Sequence, residues 1–204
     1  AEWIESIKPH KVDVIKYEKR AVPLEHYVYD IQLGITKIEE LMKDRTFREK
    51  RTKDRSKKDH KKNTQVTRPS HIELVRELGE RLPCIFFDFS RRSTEEKALE
   101  LLKVKDFLDD KDRAYVVQLA AQLISPEFRS LESVQKLKHA LSRGIGFHHA
   151  GLLPKAKELV ELLFSKGLVK VLYATETFAV GINMPAKTVC FASLEKYDGV
   201  SFRY

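Results

Sequence analysis

From Thr67 onward, nearly continuous apolar runs alternate with helix-spaced segments, and this rhythm constrains the fold more than any other feature of the sequence. Cys84–Phe89 (CIFFDF), Val169–Ala174 (VKVLYA) and Thr188–Ala192 (TVCFA) carry apolar residues on both sides of a strand's pleat. Such strands need cover on both faces, as in a parallel sheet flanked by helices. Gly144–Phe147 supplies a further short strand. Between them, helical patterns start and stop at recognisable signals. Ser70 and Glu73 have capping-box spacing ahead of Ile72, Leu74, Val75 and Leu78, and Ser93–Glu96 repeats it before a helix reaching about Leu102. Asp110–Ile124 and Val134–Leu141 follow as helices, with Ser125-Pro126 opening a new local unit between them. Pro154 suits a first helical residue, and Gly167 suits the position just past a last turn. Strand, helix, strand, helix in this order predicts an α/β domain with a mostly parallel sheet.

The 204 residues give room for one domain with an appendage. No apolar run approaches the roughly 20 residues of a membrane-spanning helix, and Glu2, Glu5 and Lys8 leave no signal-peptide pattern at the start. With no initiator Met, the chain reads as an internal piece of a longer protein that has no membrane association. Cys84 and Cys190 both lie in apolar runs and read as buried thiols of a reducing, cytoplasmic setting (nuclear if the source is eukaryotic).

Residues 1–41 read as a helix tail at Ala1–Ile7 and two short strands, Val12–Tyr17 and Leu24–Tyr29. Residues 42–66 form a basic insertion. Within it, residues 43–62 hold 11 Lys and Arg against 4 Asp and Glu, net +7 of the chain's +8, so the remainder is nearly neutral. This segment has no aliphatic residue and one aromatic, Phe47, and cannot bury a face. It is expected to be a mobile loop or a solvated helix, either inert or a phosphate-attracting arm.

Working residues of open parallel sheets lie in loops leaving the carboxyl ends of the strands, and three segments occupy that place. In Phe89-Ser90-Arg91-Arg92 a hydroxyl and two guanidinium groups meet a helix start, a combination that favours phosphate; surface charges beside a cap would look the same. In Gly146–Pro154, His148 and His149 precede the small loop at Gly151. Adjacent histidines diverge and no Cys, Asp or Glu stands at ligand spacing, so packing or hydrogen-bonding histidines are expected rather than a metal site. In Ala174–Ala186, Thr175 and Thr177 bracket a strand end ahead of Gly181 and Asn183. Hydroxyls and backbone N–H groups there suit a sugar-phosphate chain or an ordinary strand-to-helix cap.

The succession FDFSRR, GIGFHHAGLLP, VLYATETFAVGINMPAKTV and KYDG resembles, in order and spacing, the superkiller-type (Ski-like) branch of superfamily 2 DExH-box RNA helicases. There the four segments are motif IV, the HHxGL element, motif V and the stretch toward motif VI. The resemblance covers residues 68–204 and also 1–30, where AEWIESIK and AVPLEHYVY look like the end of a first RecA-like domain and its connection to a second. It implies a RecA-like three-layer domain, incomplete at its C-terminus, over residues 67–204. By the same resemblance Ser90, Arg91, His149, Gly151, Thr175, Glu176 and Thr177 would lie on the nucleic-acid side, with His148 and His149 shaping the loop. Gly181 and Asn183 would approach nucleotide, and the first RecA-like domain and single-stranded RNA would be partners. No Gly-Lys, Asp-Glu or Gly-Arg pair occurs, so the P-loop, the magnesium-binding acidic box and the arginine finger are not encoded here. The resemblance therefore implies ATP and Mg2+ for a longer parent and no catalytic residue within this piece. A repair-type DNA helicase of the same superfamily, or a RecA-like interaction module without motor activity, are the alternatives.

Overall fold

The computed structural model describes residues 2–7, 12–13, 15–16, 22–31, 33–43, 69–176, 185–194, 196–197 and 202–203. The chain divides into two compact units, Ala1–Thr67 and Arg68–Tyr204.

In the first unit, α1 (Glu2–Ile7) is followed by a hairpin of β1 (Tyr27–Asp30) and β2 (Gly34–Lys37), antiparallel from Tyr27↔Lys37 to Asp30↔Gly34. Asp30 Oδ1 accepts from Leu33 N–H at 3.3 Å and closes the turn. Lys37 bridges to Glu25 at 3.0 Å, and α2 (Ile38–Lys43) continues directly from β2. This corrects the expected strand pair. The described residues of Val12–Tyr17 are irregular, and the pairing segment starts three residues later than Leu24–Tyr29 and ends one residue later, at Asp30. Alternation alone does not fix which stretch pairs; the Asp30-to-Gly34 turn does. Apart from Lys43, the basic segment 43–62 lies outside the described residues.

The second unit is the expected α/β domain. It runs α3 (His71–Leu78), β3 (Cys84–Phe87), α4 (Arg91–Leu102), α5 (Asp110–Leu123), α6 (Glu132–Leu141), β4 (Ile145–His148), α7 (Pro154–Ser165), β5 (Val171–Ala174) and β6 (Thr188–Phe191). The four strands form one parallel sheet in the order β4-β5-β3-β6. Residues of β4 and β5 are wholly buried, as their unbroken apolar runs require. Alternate residues reach opposite helical layers. Tyr173 of β5 meets His71 of α3, and Phe86 of β3 lies under Lys97 of α4. On the other face His148 of β4 meets Glu161 of α7. Two helical layers around a parallel sheet make the three-layer architecture of a RecA-like domain. Phe147, Leu159, Leu163, Phe164, Leu172 and Tyr173 have no exposed surface and form its centre, each worth about 1.5–3 kcal/mol of transfer free energy.

The helix signals acted mostly where expected. The Ser70 hydroxyl accepts from Ile72 N–H at 3.2 Å, Pro154 opens α7, and Gly167, at φ +70°, follows its last turn. One cap differs. Ser90, not Ser93, caps α4: its Oγ accepts from Ser93 N–H at 3.3 Å, while Ser93 sits within the first turn. Both serines precede helical spacing, and Asp88 decides between them by taking the Ser93 hydroxyl at 2.6 Å. The final residues also hold more order than expected, since β7 (Lys196–Tyr197) pairs antiparallel with β8 (Phe202–Arg203).

Candidate nucleic-acid interface at the carboxyl edge of the sheet

Because β3, β4, β5 and β6 are parallel, the loops that leave them share one edge. Three backbone bonds tie the strand ends into a row: Thr175 N–H to His148 O at 3.1 Å, Asp88 N–H to Ala174 O at 2.9 Å, and Ala192 N–H to Phe87 O at 3.1 Å. Ser90, Arg91, Gly151 and Thr175 all lie just beyond that row. Ser90 and Arg91 are exposed at the start of α4. The Ser90 hydroxyl accepts in its capping bond, which leaves its hydrogen to donate outward. Arg92 is engaged with Glu96 at 2.6 Å, whereas Arg91 has no ion-pair partner among the described residues. The loops also approach one another, since a Cβ placed on Gly151 would lie 3.8 Å from Cδ of Arg91 and 3.1 Å from Nδ1 of His149. Gly151 thus lets the backbone pass close to the imidazole, and the arginine lies alongside.

Thr175 is buried at the end of β5, and Glu176 is exposed one residue later. Thr177, Gly181 and Asn183 lie outside the described residues.

The two histidines diverge as successive residues of an extended chain must. His148 Nε2 meets Glu161 Oε1 of α7 at 2.9 Å; burial holds its imidazole below the ordinary value, with Glu161 opposing. His149 turns to the other layer and stacks on Phe147 at 6.0 Å between centroids. Its Nδ1 accepts from Gly151 N–H at 3.1 Å, and its Nε2 lies 3.0 Å from the Glu95 carboxylate of α4. A carboxylate cannot donate, so the ring is the Nε2–H tautomer with both nitrogens engaged inside the protein. His149 is also buried. It fixes the Gly151 loop to α4 and presents no nitrogen to the outside.

Sequence reasoning did not single out Asp88. Its carboxylate accepts from Ser90 N–H at 3.0 Å and from the Ser93 hydroxyl, and it pairs with the Lys97 ammonium. Burial alone would push the carboxyl up; the bonds from Lys97, Ser93 and Ser90 outweigh it and hold it below its ordinary value. The signal was present as one acid within an apolar run, two residues before a serine, which is the spacing of a local Asx turn.

Among the described residues, no group of three or more His, Cys, Asp or Glu could hold a metal ion, and no helix is long and apolar enough to cross a membrane. No family model matches the chain. Individual proteins do match over all of it. The DExH-box ATP-dependent RNA helicase DExH10 of Arabidopsis thaliana is 38 % identical over 228 residues, and the exosome RNA helicase MTR4 of Mus musculus 38 % over 222. Superkiller complex protein 2 of Homo sapiens is 35 % identical over 228. Over its whole length the chain is homologous to Ski2- and MTR4-type DExH-box helicases. It spans only about a fifth of the relatives it matches: 23 %, 21 % and 18 % of their respective lengths. The parallel sheet and three-layer architecture agree with that Ski-like kinship.

Proposed function

We propose that this chain supplies the second RecA-like motor domain, over residues 67–204, of an ATP-dependent RNA helicase. Residues 1–41 would close the first RecA-like domain and lead to the second, and 42–66 would be a variable insertion. The observation that carries the reading is the similarity to RNA helicases over the whole chain at 35–38 % identity. The carboxyl edge of the sheet suits the role. Ser90, Arg91 and Gly151 put a hydroxyl, a guanidinium with no ion-pair partner among the described residues and a close-approach backbone together, a set that fits the sugar-phosphate chain of single-stranded RNA. Thr175, Glu176 and Thr177 would extend this surface from the neighbouring strand. Backbone contacts carry no base information, as a motor that moves along any sequence requires.

ATP would bind between this domain and the first, with Gly181 and Asn183 at its rim. The described residues do not fit Mg2+, and no step is assigned to the ion on this chain. Phosphate cradling and the acidic box fall to the first domain. We place the protein in the cytoplasm, or the nucleus of a eukaryote.

Steady-state phosphate release tests the reading. The full-length protein that carries this chain should hydrolyse ATP faster when single-stranded RNA is added, and the 204-residue chain alone should not turn over. Stimulation by DNA and not by RNA would turn the assignment to a repair-type helicase. An inactive full-length protein would turn it to an interaction module.

A further inference from the structure

Four groups with no outward role converge behind the start of α4. Asp88 is 9 % exposed, and its two oxygens divide the work. Oδ1 takes the Ser90 N–H at 3.0 Å, so it sets the backbone direction at the exposed residue whose hydroxyl caps α4. Oδ2 takes the Ser93 hydroxyl at 2.6 Å and the Lys97 ammonium, one and two turns into the helix. Lys97 is itself held, with its Nζ 5.3 Å above the Phe86 ring. The strand end, the loop and the first two turns of α4 are thus tied through one carboxylate.

The charge arrangement is unusual for an anion-binding loop. A carboxylate directly behind the loop would repel phosphate, and Lys97 cancels it. The loop's outward field is then set by Arg91 and the helix N-terminus. Neither Asp88 nor Lys97 needs to touch a ligand for this arrangement to matter.

We propose that Asp88, neutralised by Lys97, is the positioning residue that aims Ser90 and Arg91 at the RNA backbone. The inference rests on the RNA reading given above. Deleting Asp88 alone would confuse geometry with charge, because it frees a lysine beside the phosphate path. The charge-neutral pair Asp88→Ala with Lys97→Met separates the two, since net charge is unchanged and only the tether is lost.

The test uses the full-length protein and a fluorescein-labelled uridine homopolymer, with affinity read by anisotropy. Hydrogen exchange of peptides spanning Asp88–Lys97 is followed in parallel. Ser90→Ala should weaken binding about fivefold, the worth of one ordinary hydrogen bond. The double variant should weaken it by a similar factor and speed exchange in the Asp88–Ser93 stretch. Adding Ser90→Ala to it should cost less than about twofold more, because the hydroxyl is already misaimed. Asp88→Asn with Lys97→Met keeps an acceptor for Ser90 N–H and adds no charge; it should return to within about twofold of the parent. This second pair also guards against a double variant that simply fails to fold.

Faster exchange with unchanged RNA affinity would overturn the positioning role while leaving Ser90 and Arg91 as RNA contacts. The same holds if the triple variant loses the full product of the two effects. If Ser90→Ala and Arg91→Ala both bind RNA like the parent, the RNA reading itself fails, and the inference fails with it.

Discussion

Removing one oxygen from the centre of the sheet should destabilise the domain measurably. Tyr173 lies on β5 two residues before Thr175 and has no exposed surface. Its hydroxyl is 2.7 Å from His71 Nδ1, and His71 Nε2 is 2.9 Å from Glu100 Oε2. Glu100 only accepts, so Nε2 carries the proton, Nδ1 accepts, and the phenol donates. Burial raises the phenol's pKa and keeps it a donor. Tyr173→Phe takes away that donor and leaves Nδ1 without its hydrogen-bond partner beside an aromatic ring. The lost bond is worth about 1 kcal/mol net, and the stranded acceptor costs about 1–3 kcal/mol more. Phenylalanine is cheaper to bury than a phenol, which offsets part of this, and the expected loss is about 1.5 kcal/mol. Urea unfolding of the chain should show a lower midpoint at unchanged slope. His71→Phe combined with Tyr173→Phe replaces both partners by apolar rings, and Glu100, on the exposed side, can hydrate. The double variant should therefore recover part of the loss, with a coupling energy of at least about 0.5 kcal/mol. A Tyr173→Phe variant as stable as the parent, or strictly additive effects, would show that the three groups do not act as a unit.

Two further perturbations address the strand that carries the histidine loop. Gly146→Ala on β4 should lower stability by about 1–3 kcal/mol, because the new Cβ would lie 3.1 Å from Leu172 Cδ1 and 3.3 Å from Val169 Cγ1 inside the core; thermal melts check this, and an unchanged midpoint would mean that the layer yields freely. Burial depresses the His148 pKa, against Glu161 and with Lys157 and His149 nearby. The unfolded chain then binds the proton more readily, so the associated stability is complete above about pH 6.5 and declines as pH falls below that value. His148→Gln should flatten that decline in urea titrations at successive pH values, whereas curves parallel to the parent's would contradict it.

How far the sequence predicted this molecule depends on the distance between interacting residues. Strands β3, β5 and β6 were legible because an unbroken apolar run has one solution, a strand covered on both sides. Their shared carboxyl edge followed from parallel pairing, and Ser90, Arg91, Gly151 and Thr175 were placed there by counting from strand ends. The opposite headings of His148 and His149 were legible for the same reason, since a two-residue period turns neighbours apart. Choices between local equivalents were not legible. Ser90 and Ser93 both preceded helical spacing, and the tie was broken by Asp88, whose carboxylate gains a half-buried lysine only once α4 packs on the sheet. Val12–Tyr17 and Leu24–Tyr29 alternated equally well, and a turn further along selected the hairpin.

Partners joined through the fold were out of reach altogether. His149 and Glu95 are 54 residues apart in the chain, and His71 and Tyr173 are 102 apart. Apart from His149, none of these residues stood out in the pattern. These distant pairs decide which side chains the edge displays. His149 was expected on the nucleic-acid side because its motif lies there, yet Glu95 and Gly151 N–H turn its ring inward and occupy both nitrogens. Among the described residues of these loops, Ser90, Arg91, the Gly151 backbone and Glu176 keep exposed places. A motif therefore locates the carboxyl edge of the sheet, while the pairs that cross the layers sort its residues into those that stay exposed there and those that hold the others in place.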